Sequence, residues 1–186
     1  MKISESDLMR NFFQEVFSMA FISIDPKELD INLFNAIDKQ WMLITAGDKD
    51  KLNTMTASWG GTGILWNKNV SFAFIRESRY TREFVDNNDY YTLSFFGGNM
   101  MKELAFCGRN SGRDVDKLKE TGLVPVFDEA APYFEQAELV FICKKLYRSK
   151  LTADGFFDPS YVEKNYSDND WHYAYIGEIV KAVIKK

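Results

Sequence analysis

A chain of 186 residues, 46% hydrophobic and 16% aromatic, is long enough for one domain with a real core and too apolar to be disordered. Its 27 acidic and 23 basic side chains leave a net charge of −4, and no basic run of five or more occurs. A nucleic-acid partner and a polybasic membrane contact are therefore not expected.

The first predicted element is an amphipathic helix over residues 4–20. Ser4, Ser6 and Asp7 offer N-caps, and Leu8, Phe12, Phe13, Val16, Phe17 and Ala20 fall on one face. Its other face lacks the Lys and Arg of an interfacial helix, so it covers either its own domain or a partner subunit. The apolar stretch 12–24 is interrupted by Gln14, Glu15 and Ser18, and has no small-residue cleavage site. No run approaches the roughly 18–20 apolar residues that span a bilayer. Pro26 breaks the pattern, and a short helix follows at 33–37. Residues 1–24 thus read as an N-terminal helical extension and 25–186 as the domain.

From Trp41 onward the chain turns to strands, rich in β-branched and aromatic residues, at 41–47, 53–59, 70–75, 90–96, 137–147 and 173–183. Asp48-Lys49-Asp50-Lys51 is a polar loop of hairpin length, which makes the first two strands antiparallel neighbours. Short strands at this spacing favour a barrel over βαβ units. Helices are expected at 80–87, with Ser78 as cap, at 100–107, and from about 114 through 118. The loop 152–171 is long for a compact domain, which points to a functional or interfacial role.

Three clusters carry chemistry. Asn53-Thr54-Met55-Thr56-Ala57-Ser58-Trp59-Gly60-Gly61 sets hydroxyls on one face of an extended segment and apolar groups on the other, and its glycines allow close backbone approach. Ser78-Arg79-Tyr80-Thr81 opens a helix with a hydroxyl, a guanidinium and free N–H groups. It reads as a phosphate site or as a plain Ser cap with a solvated arginine. The cluster 107–117 holds Arg109, Arg113 and Lys117 among glycines, and either closes over an anion or is a surface loop. Cys107 and Cys143 lie far apart without a CxxC spacing, which argues against a disulfide framework and a zinc site and fits a reducing, cytoplasmic setting; Cys107, with no resolving partner nearby, reads as a buried structural thiol rather than a redox one. A single histidine, His172, rules out a three-histidine zinc site, and no metal is expected.

The order and spacing of several pieces resemble the flavin reductase-like, FMN-binding split-barrel family, in its flavoredoxin-type branch. They are Trp41-Met42-Leu43-Ile44-Thr45-Ala46-Gly47, the Asn53 to Gly61 stretch, Leu65-Trp66-Asn67-Lys68, Ser78-Arg79-Tyr80-Thr81, Ser94-Phe95-Phe96 and Phe106-Cys107-Gly108. The segment from Ser111 to Lys117, His172, and Tyr175-Ile176-Gly177-Glu178-Ile179 complete the set. The resemblance runs from about Asp25 to the C-terminus and leaves the first 24 residues unexplained.

It implies a mainly β fold with a few helices, a six-stranded antiparallel split β-barrel that forms a homodimer with FMN near the interface. It also implies an NAD(P)H-dependent flavin reductase, or else an electron carrier that docks a redox protein partner, or a non-catalytic FMN module. By the same resemblance Asn53, Thr54, Met55, Thr56, Ala57, Ser58 and Trp59 line the isoalloxazine and ribityl chain, with the Trp59 indole beside the ring. Arg76, Ser78, Arg79, Tyr80 and Thr81 form the phosphate segment. Cys107, Gly108 and Lys117 are secondary contacts, and His172 either positions nicotinamide or anchors a loop.

Overall fold

The computed structural model describes residues 21–186. The helix expected over 4–20 lies outside the described residues. Phe21–Ile24, read from sequence as the end of the extension, is strand β1 and pairs antiparallel with the last strand, Phe21 opposite Lys185 and Ile24 opposite Ala182.

Helix α1 (Leu33–Asp38) starts at Asn32, whose side chain accepts the Asn35 N–H at 3.1 Å. Strands β2 (Met42–Gly47) and β3 (Leu52–Ala57) form the expected hairpin. The Asp48 carboxylate closes it by accepting the N–H groups of Asp50 and Lys51 at 2.9 and 3.0 Å. The chain then doubles back at once into β4 (Gly60–Leu65) and β5 (Lys68–Arg76), a hairpin whose first strand the sequence does not announce. Its Gly60-Gly61-Thr62-Gly63 has only Thr62 as a strand former, yet Gly60 at φ 156° lies so close to Phe72 that a Cβ would fall 2.8 Å from the Phe72 carbonyl oxygen.

Helix α2 (Tyr80–Asn87), strand β6 (Tyr90–Phe95) and helix α3 (Met101–Arg109) follow near their predicted places. Helix α4 (Lys117–Thr121) begins at an Asp116 cap and ends at Gly122 in the left-handed region, φ 69°. A two-stranded ladder of β7 (Pro125–Val126) and β8 (Tyr133–Phe134) leads to β9 (Leu139–Lys150) and β10 (His172–Lys185). Between these two strands the expected loop 152–171 carries structure of its own, helix α5 (Ser160–Tyr166).

The main sheet has eight strands, all antiparallel, in the order β3-β2-β6-β9-β10-β5-β4 with β1 on β10. Six were expected, and β1 and β4 are the two additions. Strand β10 organises the sheet: one edge runs along β9, while the other is shared by β5 over 172–178 and β1 over 182–185. Bulges at Ile176/Gly177 and Ile179/Lys181 let this long pair coil.

Alternation along β2 and β9 divides two cores. Met42, Ile44, Ala46, Leu139, Phe141 and Cys143 join the face shared by the strands, whereas Leu43, Val140 and Ile142 pack with Leu104 and Cys107 of α3 and with Tyr133 and Phe134. Strands buried on both faces read as the unbroken apolar runs seen in the sequence. Among the described residues, no helix is long and apolar enough to cross a membrane.

Candidate functional site

The residues flagged in the first cluster stand at the end of β3, where Met55, Thr56, Ala57, Ser58 and Trp59 line a cleft of about 260 Å³ with Phe74, Arg76, Arg79 and His172. Trp59 forms an open wall. It is 49% exposed, and its ring lies 5.2 Å from that of His172 at a tilt of 47°. The hydroxyls are placed differently from expectation. Thr54 is buried and shares a 2.8 Å hydrogen bond with the Thr45 hydroxyl, while Thr56 donates to the Leu104 carbonyl of α3 at 2.5 Å. Thr56 therefore lines the cleft with its hydroxyl proton committed to α3, beside Ser58 and the half-exposed Trp59.

A second cleft of about 220 Å³ adjoins the first, because Arg76 and Arg79 line both. Among the described residues, four basic side chains, Arg76, Arg79, Arg109 and Lys117, line it against one carboxylate, Asp170. Ser78, Tyr80, Thr81 and Asn53 complete the wall, and Asn53 donates to the Thr81 hydroxyl at 2.8 Å. Gly112 makes this wall possible, since a Cβ there would sit 2.1 Å from Asn53 Oδ1.

The expected Ser78 cap is not formed. The N-cap of α2 is Arg79 with no side-chain hydrogen bond, so among the described residues the first N–H groups of the helix have no side-chain acceptor. Ser78 instead gives its N–H to Asp170 Oδ1 at 2.9 Å and its hydroxyl to Asp170 Oδ2 at 2.6 Å. Arg79 reaches across to the last turn of α3 and donates to the Gly108 carbonyl at 2.6 Å. Arg76 is committed to the 152–171 segment, donating to the carbonyls of Asp170 at 2.7 Å and Asn165 at 3.0 Å.

Cys107 and Gly108 lie in helix α3, which runs two residues past its expected end, and their carbonyls accept from Lys117 and Arg79. Lys117 is buried, and its ammonium donates to the Thr54 carbonyl at 2.7 Å and the Cys107 carbonyl at 2.8 Å. Burial pushes its pKa down to about 8. The thiols of Cys107 and Cys143 are buried and free, and burial raises them to about 11 and about 12, which suits packing and not thiolate chemistry.

His172 lies at the start of β10, directly opposite Arg76. Its Nδ1 is 3.0 Å from the Tyr166 hydroxyl, and Tyr166 stacks on Trp171 with centroids 4.5 Å apart. Burial first, then the Arg76 charge, lowers the His172 pKa from 6.5 to about 4, so the imidazole is neutral at pH 7. The unfolded chain takes up this proton near 6.5 and the folded one only near 4, so stability falls as the pH drops through that window. Between pH 7 and about 4.5 the native protein should lose about 2 kcal/mol more than a His172→Gln variant. Urea unfolding at the two pH values measures the difference, and equal losses would remove the buried neutral histidine from the account.

Asp170, Phe74 and Tyr166 line or support the site without having been singled out, and the only signal for Asp170 was an acid two residues before the only histidine. Arg109, read as one of the basic residues of the 107–117 cluster, lines the cationic cleft.

A family model described as "Flavin reductase like domain" matches residues 34–186. The chain belongs to this flavin reductase-like family. Among curated proteins no relative matches it. Flavoredoxin from Methanosarcina acetivorans is 24% identical, with 83% of this chain and 74% of that one covered and a TM-score of 0.59. An FMN-binding domain of a flavin reductases-like enzyme from Shewanella baltica shares 15% identity over 89% and 77% of the two chains at a TM-score of 0.64. A split-barrel-domain protein from Shewanella frigidimarina shares 18% over 98% and 79% at 0.60. These likenesses establish the split-barrel fold of the flavin reductase-like chain.

Proposed function

We propose that this flavin reductase-like domain binds FMN across the two joined clefts and that NADH or NADPH reduces the flavin there. The observation that carries the reading is the shared wall: a cleft at the end of β3, in which Trp59, Phe74 and Met55 stand among polar groups, runs into a cationic cleft through Arg76 and Arg79. A flat ring with a phosphate tail has this division of chemistry, and the donor set fits it. The tail meets Arg79, Arg109, Lys117 and the uncapped first turn of α2. The ring meets Trp59, Met55 and the backbone of 56–59.

A bound flavin supplies the redox chemistry itself, so the protein's work is positioning. Backbone N–H groups at the end of β3, which is an edge strand, would bond the polar edge of the ring, where charge grows on reduction. Neutral His172, held by Tyr166, presents a polar group beside Trp59 without adding a positive charge to the cleft. The half-exposed indole of Trp59 leaves room for a second flat molecule at the open side.

The same reading carries a cytoplasmic homodimer, for which exposed Ile31 and Ile64 on an apolar cleft with Leu29 and Ile179 offer a surface. The test is anaerobic addition of NADH or NADPH to FMN-loaded protein. Rapid bleaching of the flavin band is the expected result and gives the coenzyme preference. Bleaching by dithionite alone would replace the reductase with an electron carrier that serves a protein partner, or with a non-catalytic FMN module.

A further inference from the structure

Ser78 offers two protons to the cationic cleft, one on its backbone nitrogen and one on its hydroxyl, and the Asp170 carboxylate takes both. Each proton serves one strong acceptor, so a phosphate and this carboxylate exclude one another at Ser78. Asp170 also stands 3.9 Å from Arg76 Nη1, so it neutralises part of the charge that would draw an anion into the cleft. Its side chain is 21% exposed, so solvent reaches it in the cleft.

The backbone around it is fastened separately. The Trp171 carbonyl accepts the Glu77 N–H at 2.9 Å, and the Asp170 and Asn165 carbonyls accept from Arg76. The carboxylate is therefore free to leave Ser78 by side-chain rotation while the 152–171 segment stays anchored.

We propose that Asp170 is a built-in anion that competes with the ligand's phosphate for Ser78, and so sets how strongly the site prefers phosphorylated over unphosphorylated flavin. The proposal rests on the reading that the cationic cleft takes the phosphate. It gives the chain a specificity-determining residue on the segment between β9 and β10, remote in sequence from the cluster it governs. A dianionic phosphate must displace the carboxylate or bind against its charge, whereas riboflavin meets neither cost.

The experiment compares equilibrium binding of FMN and of riboflavin to the wild type and to Asp170→Asn, followed by flavin fluorescence. The asparagine keeps an acceptor for the Ser78 N–H and removes the charge. FMN should bind about tenfold or more tighter to the variant, with riboflavin changed by no more than about twofold. An unchanged ratio of the two affinities, or a selective loss of FMN, would overturn the proposal. Should Asp170→Asn fail to fold, Asp170→Ser makes the same comparison. If wild-type protein takes up neither flavin, the flavin reading itself fails. If both flavins bind the wild type and only the ratio stays fixed, the failure belongs to Asp170 alone.

Discussion

Replacing Arg79 with alanine is expected to weaken FMN binding by about 10- to 100-fold, the worth of one charge-assisted contact to phosphate. Arg79 is the side chain common to both clefts that is not tied up by the 152–171 segment, since Arg76 spends its guanidinium on the carbonyls of Asn165 and Asp170. One of its N–H groups is pinned to the Gly108 carbonyl, which fixes the direction of the fork and leaves its other donors for a ligand. Its charge reaches both ends of the site, because it lowers the pKa of Lys117 and of His172. Arg79→Lys should recover only part of the loss, as an ammonium keeps the charge without the planar fork. Titration with FMN and with riboflavin separates the roles: the phosphate assignment requires FMN to lose more. Equal losses would move Arg79 to the ring, and no loss would remove it from the site.

Lys117→Met is expected to destabilise the fold by about 2–3 kcal/mol, because two carbonyls lose their donor in a buried position. The ammonium joins three elements at once: it sits on α4 and holds the Thr54 carbonyl of β3 and the Cys107 carbonyl of α3. Burial of the charge offsets part of that gain, which is why its pKa falls to about 8 and why the expected loss stays below that of breaking a full buried ion pair. Methionine keeps the apolar stem, so the change isolates the polar head. The urea midpoint should fall with an unchanged slope, and a wild-type midpoint would show that the ammonium contributes no net stability.

The sheet was legible where the residues announce it. The six strands read from β-branched and aromatic runs are β2, β3, β5, β6, β9 and β10, and the helix expected over 80–87 has those ends. Strand β4 escaped because three of its six residues are glycine, of which Gly60 is demanded by close approach to the Phe72 backbone rather than by strand propensity. Strand β1 escaped because its four residues follow a helical pattern, and only pairing with β10 decides their conformation.

The site divides the same way. Asn53 to Trp59 and Arg76 to Thr81 are continuous in sequence, so their chemistry showed as clusters. Asp170 and Tyr166 reach the site because β10 runs antiparallel to β5 and sets His172 opposite Arg76, which brings residues 94 positions apart into contact. No local pattern encodes that. The Ser78 reading shows the limit from the other side: a serine before a helix is an expected cap, but a carboxylate from a distant segment outcompetes the helix for its hydroxyl.

The most direct measurement is equilibrium titration of the purified flavin-free protein with FMN, read by flavin fluorescence and visible absorbance. Saturation at one FMN per chain, with a shifted spectrum as Trp59 meets the ring and with a preference over riboflavin, is the result the joined clefts predict. A chain that takes up no FMN, or that binds it no better than riboflavin after Arg79 and Arg109 are both intact, would contradict the assignment of the cationic cleft to a phosphate.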